Sequence, residues 1–266
     1  MLSQAQTEEF LAFAGSLAET ARGVILPYFR ADHGLENKAA RGFDPVTLAD
    51  RAAEEALRAR IEETYPEHGI IGEEYAEKPS RSGFSWVLDP IDGTRAFISG
   101  LPLWGVLIAL SYEGKPLIGI MDQPYLGERF RGFPGGADLH TRDGVRPLKV
   151  RACEKLTDAS ISTTDVKLFT PAEAAGFEQV RAAAKLARYG CDCYAYCMVA
   201  LGTLDAVIES GLKAWDIQAL VPILEGAGGS VTDWRGRPSY DGGQVIASGD
   251  PRVRDEALVA LRRAAA

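Results

Sequence analysis

Histidine is scarce in this chain. Three occur in 266 residues, His33, His68 and His140, and no Gly-x-Ser-x-Gly elbow stands with them to form a nucleophile site. Hydrolysis through a covalent serine or cysteine is thereby disfavoured. Cysteine is sparse too: Cys153, Cys191, Cys193 and Cys197. The last three crowd together with neither zinc-finger spacing nor a matching histidine pair, so they read as reduced thiols, buried or half-buried. No run is long and apolar enough to span a bilayer. The opening residues, Met1 to Glu9, are acidic and lack the basic region of a signal peptide, so the expectation is a cytoplasmic enzyme. An excess of positive charge is also missing. A net charge of −8 argues against nucleic acid or an anionic membrane as the main partner, although a metal-loaded pocket can still attract phosphate locally. There is no internal repeat and no low-complexity segment. The apolar fraction of 46% and charged fraction of 25% are those of an ordinary soluble protein. The length admits one large domain or two small ones.

What the chain does have is the stretch Trp86-Val87-Leu88-Asp89-Pro90-Ile91-Asp92-Gly93-Thr94. Residues 84–88 read as the end of a buried strand. Proline cannot continue a central ladder, so a turn is expected at Asp89. Gly93-Thr94-Arg95-Ala96-Phe97-Ile98 then opens a helix. Asp89 and Asp92 would stand at a strand tip beside the free N–H groups of a helix N-terminus. Carboxylates so crowded repel unless a cation neutralises them. Oxygen-only ligands favour Mg2+ or Mn2+ over zinc, and a helix N-terminus is a ready phosphate site. Metal and phosphate side by side suggest phosphoryl chemistry. The plainer reading is that Asp-Pro and Asp-Gly are turn signals.

Elsewhere, residues 7–30 carry Phe10, Leu11, Ala14, Leu17, Ala18, Ala21, Ile25 and Tyr28 at helical spacing, with Pro27 kinking or ending the helix. Residues 31–44 are a polar connection containing Gly34 and Gly42, with a short strand at its end. Thr47-Leu48-Ala49-Asp50 starts a second helix running to about residue 65, and Asp50 is explained in full by a capping box. Ile70-Ile71-Gly72-Glu73-Glu74 reads as a short strand ending in two acids. Strands at 106–110, 116–122 and 128–132, with a hairpin turn at Glu113-Gly114-Lys115, make an antiparallel meander and an α+β first half, 1–150. In the second half, 151–266, strand-like 159–163, helical 171–187 and 194–202, strand-like 206–208, helical 215–226, strands at 230–232 and 245–248 and a helix over 251–263 alternate. That pattern indicates an α/β half. Asp216 stands at the start of its helix, where a plain N-cap role would suffice.

Gly72-Glu73-Glu74, Asp89-Pro90-Ile91-Asp92-Gly93-Thr94 and Trp215-Asp216-Ile217-Gln218-Ala219 resemble, in order and separation, the three motifs of the inositol monophosphatase superfamily. Asp50 matches the acid on that family's second helix, and the resemblance covers nearly the whole chain. It implies a layered αβαβα sandwich and Mg2+-dependent hydrolysis of a phosphate monoester, with about two or three Mg2+, or Mn2+, per site. By position, Glu73, Asp89, Asp92, Asp216 and the backbone carbonyl of Ile91 resemble the metal ligands. Thr94 and Asp50 resemble the pair that orients the attacking water, with Glu73 as a further base. The Gly93 and Thr94 N–H groups would hold phosphate oxygens. The family reads the leaving alcohol in the regions of 188–196, including Gly190 and Asp192, and of 209–213, beginning at Glu209. Inositol phosphatases usually carry small neutral residues near the place of Asp192 and a Thr-Asn-Phe ending where this chain has Thr94-Arg95-Ala96-Phe97. Both departures, with Gly211-Leu212-Lys213, resemble the histidinol-phosphatase branch. A carboxylate suits a buried cationic substrate, although Asp192 can also be read as a solvated loop acid.

The first reading is therefore a histidinol-phosphate phosphatase of histidine biosynthesis. The alternatives are an inositol-1-phosphate or broad-specificity sugar or nucleotide phosphatase, and a non-catalytic regulatory relative that binds RNA-processing or transcription partners. Family analogy implies a homodimer.

Overall fold

A computed structural model describes residues 2–31, 36–37 and 45–266. The first helix, α1 (Gln4–Ile25), starts at a capping box between Ser3 and Gln6. It buries Phe10, Leu11, Ala14, Leu17, Ala18, Ala21 and Ile25 along one face. Pro27 ends it in a single 3-10 turn, Leu26–Tyr28, because proline offers no N–H to continue the ladder. Much of the polar connection that follows, with Gly34, Gly42 and His33, lies outside the described residues. Its described pieces, β1 (Glu36–Asn37) and β2 (Pro45–Val46), pair antiparallel. Helix α2 (Leu48–Thr64) begins at the expected capping box of Thr47 and Asp50.

A seven-stranded sheet follows. Its strands are β3 (Gly69–Gly72), β4 (Phe84–Asp92), then after helix α3 (Thr94–Ile98) β5 (Gly105–Tyr112), β6 (Lys115–Gln123), β7 (Glu128–Phe133), β8 (Gly136–Thr141) and β9 (Gly144–Pro147). They lie side by side in chain order. β3 and β4 are parallel and the rest is an antiparallel meander. Glu113 and Gly114 turn the β5–β6 hairpin with φ of 49° and 78°, the left-handed pair a two-residue loop demands.

The second sheet runs β11 (Leu186–Tyr189), β10 (Ser160–Thr163), β12 (Ala206–Leu212), β14 (Gly243–Ser248), β13 (Ser230–Thr232). Its helices are α4 (Pro171–Ala183), α5 (Asp192–Ala200), α6 (Ala214–Ile217), α7 (Leu220–Gly226) and α8 (Pro251–Leu261). The layers are α1 and α2, the seven-stranded sheet, α5 to α7, the five-stranded sheet, then α4 and α8. This is the αβαβα sandwich expected. Three apolar clusters fill the gaps between layers. Between the larger sheet and the α5 to α7 layer the two backbones nearly touch. A Cβ at Gly119 would lie 1.9 Å from the Ala219 carbonyl oxygen, and one at Gly132 would lie 2.1 Å from the Ile223 nitrogen.

Four expectations are corrected. The chain does not turn at Asp89: β4 continues to Asp92. It does so through a bulge, because Asp89 pairs with Leu107 and Asp92 with Gly105, which leaves Pro90 and Ile91 in the register shift. The β3–β4 ladder ends at Gly72 and Leu88, before Pro90, so the missing proline N–H costs no bond of that ladder. Second, the meander has two further strands, β8 and β9, both short, and β9 exposed along its whole length. Third, α4 stops at Ala183. Leu186 and Ala187 fit helical spacing, but Lys185 N donates to Ala159 O at 3.0 Å and the segment joins β10 as a parallel strand. Fourth, the helix expected over 215–226 is two helices. Pro222 lacks the N–H that would bond the Gln218 carbonyl, so the ladder breaks there.

Candidate active site

The tip of β4 gathers most of the polar groups. Asp89 is buried, and its Oδ1 accepts the Ile91 N–H at 3.0 Å, a bond that tightens the bulge. Gly93 follows with φ 85° and caps α3. A left-handed residue is needed here to turn from strand into helix. Thr94, the first residue of α3, donates its hydroxyl back to the Ile91 carbonyl at 3.1 Å. The Gly93 and Thr94 N–H groups lie at the helix's open end, where backbone donors have no intrahelical acceptor.

Asp216 arrives from the other sheet's side. At the third position of α6, its Oδ2 accepts the Lys213 N–H at 2.6 Å. The plain N-cap role is thus corrected: Lys213 is the N-cap, and Asp216 is the third-position acid that reaches back to it. Asp89, Asp92 and Asp216 each offer a carboxylate oxygen within 4.8 Å of the others. Glu73 follows β3, whose last residue Gly72 pairs with Leu88. Its charge acts on both Asp89 and Asp216. Asp50 is buried, accepts the Thr47 N–H at 2.8 Å and the Thr47 hydroxyl at 2.6 Å, and its charge also reaches Asp89.

These acids are electrostatically crowded. Burial, then the charges of Glu73, Asp92, Asp216 and Asp50, hold Asp89 well above the usual carboxylate range. Burial and then the charges of Asp192 and Asp216 do the same to Asp92, opposed by the Cys193 N–H. Burial pushes Asp216 up to about 7 against the Lys213 N–H. Burial likewise raises Asp50 to about 6. Oxygen donors that repel one another this strongly fit a hard divalent cation, which would relieve the repulsion. The Ile91 carbonyl has a second lone pair for the same ion.

Beside the acids lies a cavity of about 130 Å3, lined by Asp92, Asp192 and Asp216 on one side and by Thr164, Asp165, Phe169 and Glu209 on the other. Asp192 opens α5 at φ 42°. Its Cβ and Cγ lie 3.2 Å from where a Gly93 Cβ would stand, so it packs on the strand-to-helix corner. Burial and then Glu209 raise it to about 7, with Arg95 opposing. It is not the solvated loop acid of the plainer reading. Both Glu209 oxygens are engaged: Oε1 accepts the Thr164 N–H at 3.0 Å and the Thr164 hydroxyl, and Oε2 accepts the Tyr196 hydroxyl at 2.7 Å. Gly190 stands back from the cavity lining. Its N–H donates to the Thr164 carbonyl at 2.9 Å, within the turn that leads to Asp192.

The sequence reading overlooked Thr164, Asp165 and Phe169. For Thr164 and Asp165 the available signal was position, since polar residues directly after a strand of an α/β sheet face the ligand crevice; Phe169, beyond the next turn, had none. Arg95 and Asp165 approach to 3.9 Å across the mouth. All four cysteines are free. His68 accepts the Trp86 indole N–H at 3.2 Å inside an aromatic cluster. Among the described residues no helix is long and apolar enough to cross a membrane.

The sequence pattern of the inositol monophosphatase family matches residues 6–266. The chain is 41% identical to the bifunctional phosphatase IMPL2 of Arabidopsis thaliana, over 98% of its own length and 77% of that protein's. It is 36% identical to the histidinol-phosphatase of Chlorobaculum parvum, over 94% and 96%. Its fold superposes on the solved structure of an inositol monophosphatase from Zymomonas mobilis with a TM-score of 0.86 and 40% identity, covering 98% of this chain and all of that one.

Proposed function

The chain belongs to the inositol monophosphatase family and is a phosphatase, and from that premise we propose that it is a Mg2+-dependent histidinol-phosphate phosphatase of histidine biosynthesis. The observation that carries the substrate is Asp192. It is a half-buried carboxylate packed against the Gly93 corner, in a cavity whose other acids are Asp92, Asp165, Glu209 and Asp216. A leaving alcohol that carries an ammonium meets an opposite charge there, and a polyol does not.

In this reading Glu73, Asp89, Asp92, Asp216 and the Ile91 carbonyl hold Mg2+, or Mn2+. Bound there, the ions supply charge neutralisation of the phosphate and a more acidic water. The Thr94 hydroxyl, already donating to Ile91, keeps lone pairs free to accept from the attacking water. Asp50, held near 6, has the poise of a base at neutral pH, and Glu73 is a further base. The Gly93 and Thr94 N–H groups bind phosphate oxygens, and Glu209 and the Gly190 turn border the leaving alcohol. Catalysis is then chiefly positioning and electrostatics. We also read 1–150 and 151–266 as two domains that meet at the acids. The working molecule in this reading is a cytoplasmic homodimer with no nucleic-acid partner.

The likeness to the Zymomonas inositol monophosphatase supports a second reading, inositol 1-phosphate as substrate. Phosphate release from both substrates, with and without Mg2+, tests the choice. Histidinol phosphate should give the larger kcat/KM. A preference for inositol 1-phosphate overturns the substrate and leaves the site standing.

A further inference from the structure

The segment that carries Glu73 is not held by a strand beyond Gly72. It is held by a buried ion pair on α2. Glu54 is fully buried. Its Oε2 accepts the N–H of Glu74 at 2.7 Å, and its Oε1 accepts Arg58 Nε at 2.7 Å. Arg58 then donates to the Tyr75 carbonyl at 3.1 Å and lies 5.8 Å from the centre of that ring. Glu54 and Arg58 therefore grip the backbone of consecutive residues just after Glu73. Gly72 closes the arrangement from the other side. A Cβ there would stand 2.0 Å from Glu54 Oε1 and 2.4 Å from its Cδ. The absent side chain at 72 is the space that the Glu54 carboxylate fills.

A buried ion pair is a weak way to stabilise a fold, since apolar residues of similar volume do as well or better. What it supplies is a charge-assisted bond of fixed direction. Here that bond falls on the peptide next to Glu73. We propose that Glu54, backed by Arg58, is a positioning residue: it fixes the turn after β3 so that Glu73 reaches the Asp89 and Asp216 carboxylates. Glu54 touches no substrate. The inference rests on the reading of Glu73 as a metal ligand.

The experiment measures Mn2+ affinity of the full chain by electron paramagnetic resonance of free Mn2+, well below the melting temperature, alongside the Mg2+ dependence of turnover. The variants are Glu54→Gln, Arg58→Lys and Glu73→Gln. Outer residues that orient a ligand typically shift metal affinity about 10- to 100-fold. Glu54→Gln should weaken Mn2+ binding about ten-fold and raise the half-saturating Mg2+ to match. KM for substrate and kcat at saturating Mg2+ should hold within about three-fold. Arg58→Lys keeps the Glu54–Glu74 bond but loses the fork on Tyr75, so a smaller weakening is expected. If Glu54→Gln does not fold, Arg58→Lys decides, and wild-type Mn2+ affinity in that variant overturns the proposal. A Glu54→Gln protein that melts earlier yet binds Mn2+ like wild type also overturns it, because the pair is then merely structural. If Glu73→Gln itself binds Mn2+ like wild type, the ligand reading fails first and the inference falls with it.

Discussion

Asp92 accepts a 2.7 Å hydrogen bond from the backbone N–H of Cys193, 101 residues further along the chain. The bond joins the tip of β4 to the first turn of α5. Asp192, one residue earlier, is thereby set against the same corner that carries Gly93 and Thr94. A helix N-terminus favours a carboxylate, so the acidic cluster and the wall of the substrate cavity are registered to each other by one charge-assisted contact.

Replacing Asp89, Asp92 or Asp216 by Asn keeps shape and removes charge. Turnover should fall by about two orders of magnitude or more, given the several kcal/mol a metal ion supplies. The stabilisation of the protein by Mg2+ should vanish with it. A thermal melt with and without Mg2+, beside a phosphate-release assay, reads both. An Asp216→Asn protein with near-normal Mg2+-dependent activity sinks the site.

Metal binding should expel protons. Asp216 is raised from 3.8 to about 7 in the metal-free fold, and Asp89 and Asp92 are raised well above the same value. Ligation requires the carboxylates, so Mg2+ binding at pH 7 should release about one proton or more. Calorimetry in buffers of different ionisation enthalpy gives that number as a slope, and a flat line refutes the prediction. Stability has the matching sign. The folded chain binds the Asp216 proton more tightly than the unfolded one, so the contribution of Asp216 to metal-free stability is fully present below 3.8 and is lost as pH rises through about 7. Melts across that range without Mg2+ should show a decline in the wild type relative to Asp216→Asn.

Asp50→Asn separates a cap from a charge. An asparagine still offers one oxygen to the Thr47 N–H, so the helix start survives. If Asp50 and Thr94 orient water, Asp50→Asn and Thr94→Ala should each lower kcat, by about a hundred-fold on the scale of general base catalysis, with little change in KM. An Asp50→Asn enzyme with full kcat would leave that residue a cap alone.

Substrate choice turns on Asp192. Losing a desolvated charge contact is worth roughly 2–5 kcal/mol. Asp192→Ala should therefore cost at least about ten-fold in kcat/KM for histidinol phosphate and leave a simple aryl phosphate almost unchanged. Equal losses on both would make Asp192 a packing residue.

The acids were legible in the sequence because each is tied to a local signal. Asp89 and Asp92 flank Pro90-Ile91, Asp50 completes a capping box with Thr47, and Asp216 stands in the first turn of a short helix. Apolar spacing located α1, α2 and the meander as far as β7. Legibility failed where a non-local partner decided the outcome. Leu186 and Ala187 suit a helix until β10 claims them. Pro90 suits a turn until the bulge against β5 absorbs it. Glu54 carries no sequence signal, because nothing near it in sequence announces the Glu74 N–H it binds. Thr164 was hidden likewise, since its hydroxyl and N–H meet Glu209, distant in sequence.

The near contact of Gly119 with Ala219 and of Gly132 with Ile223 bears on how relatives of this chain should be compared. Asp216 sits three residues before Ala219, so its distance from Asp89 is set by one backbone resting on another. A methyl group at Gly119 would have to push the helical layer off the sheet and carry Asp216 away. The carboxylates would all still be present in an alignment, yet they would no longer meet. A homologue that retains every acid but has gained side chains at these two positions is thus a candidate for lost chemistry. Drift toward inactivity can pass through two apolar positions and leave the catalytic signature untouched.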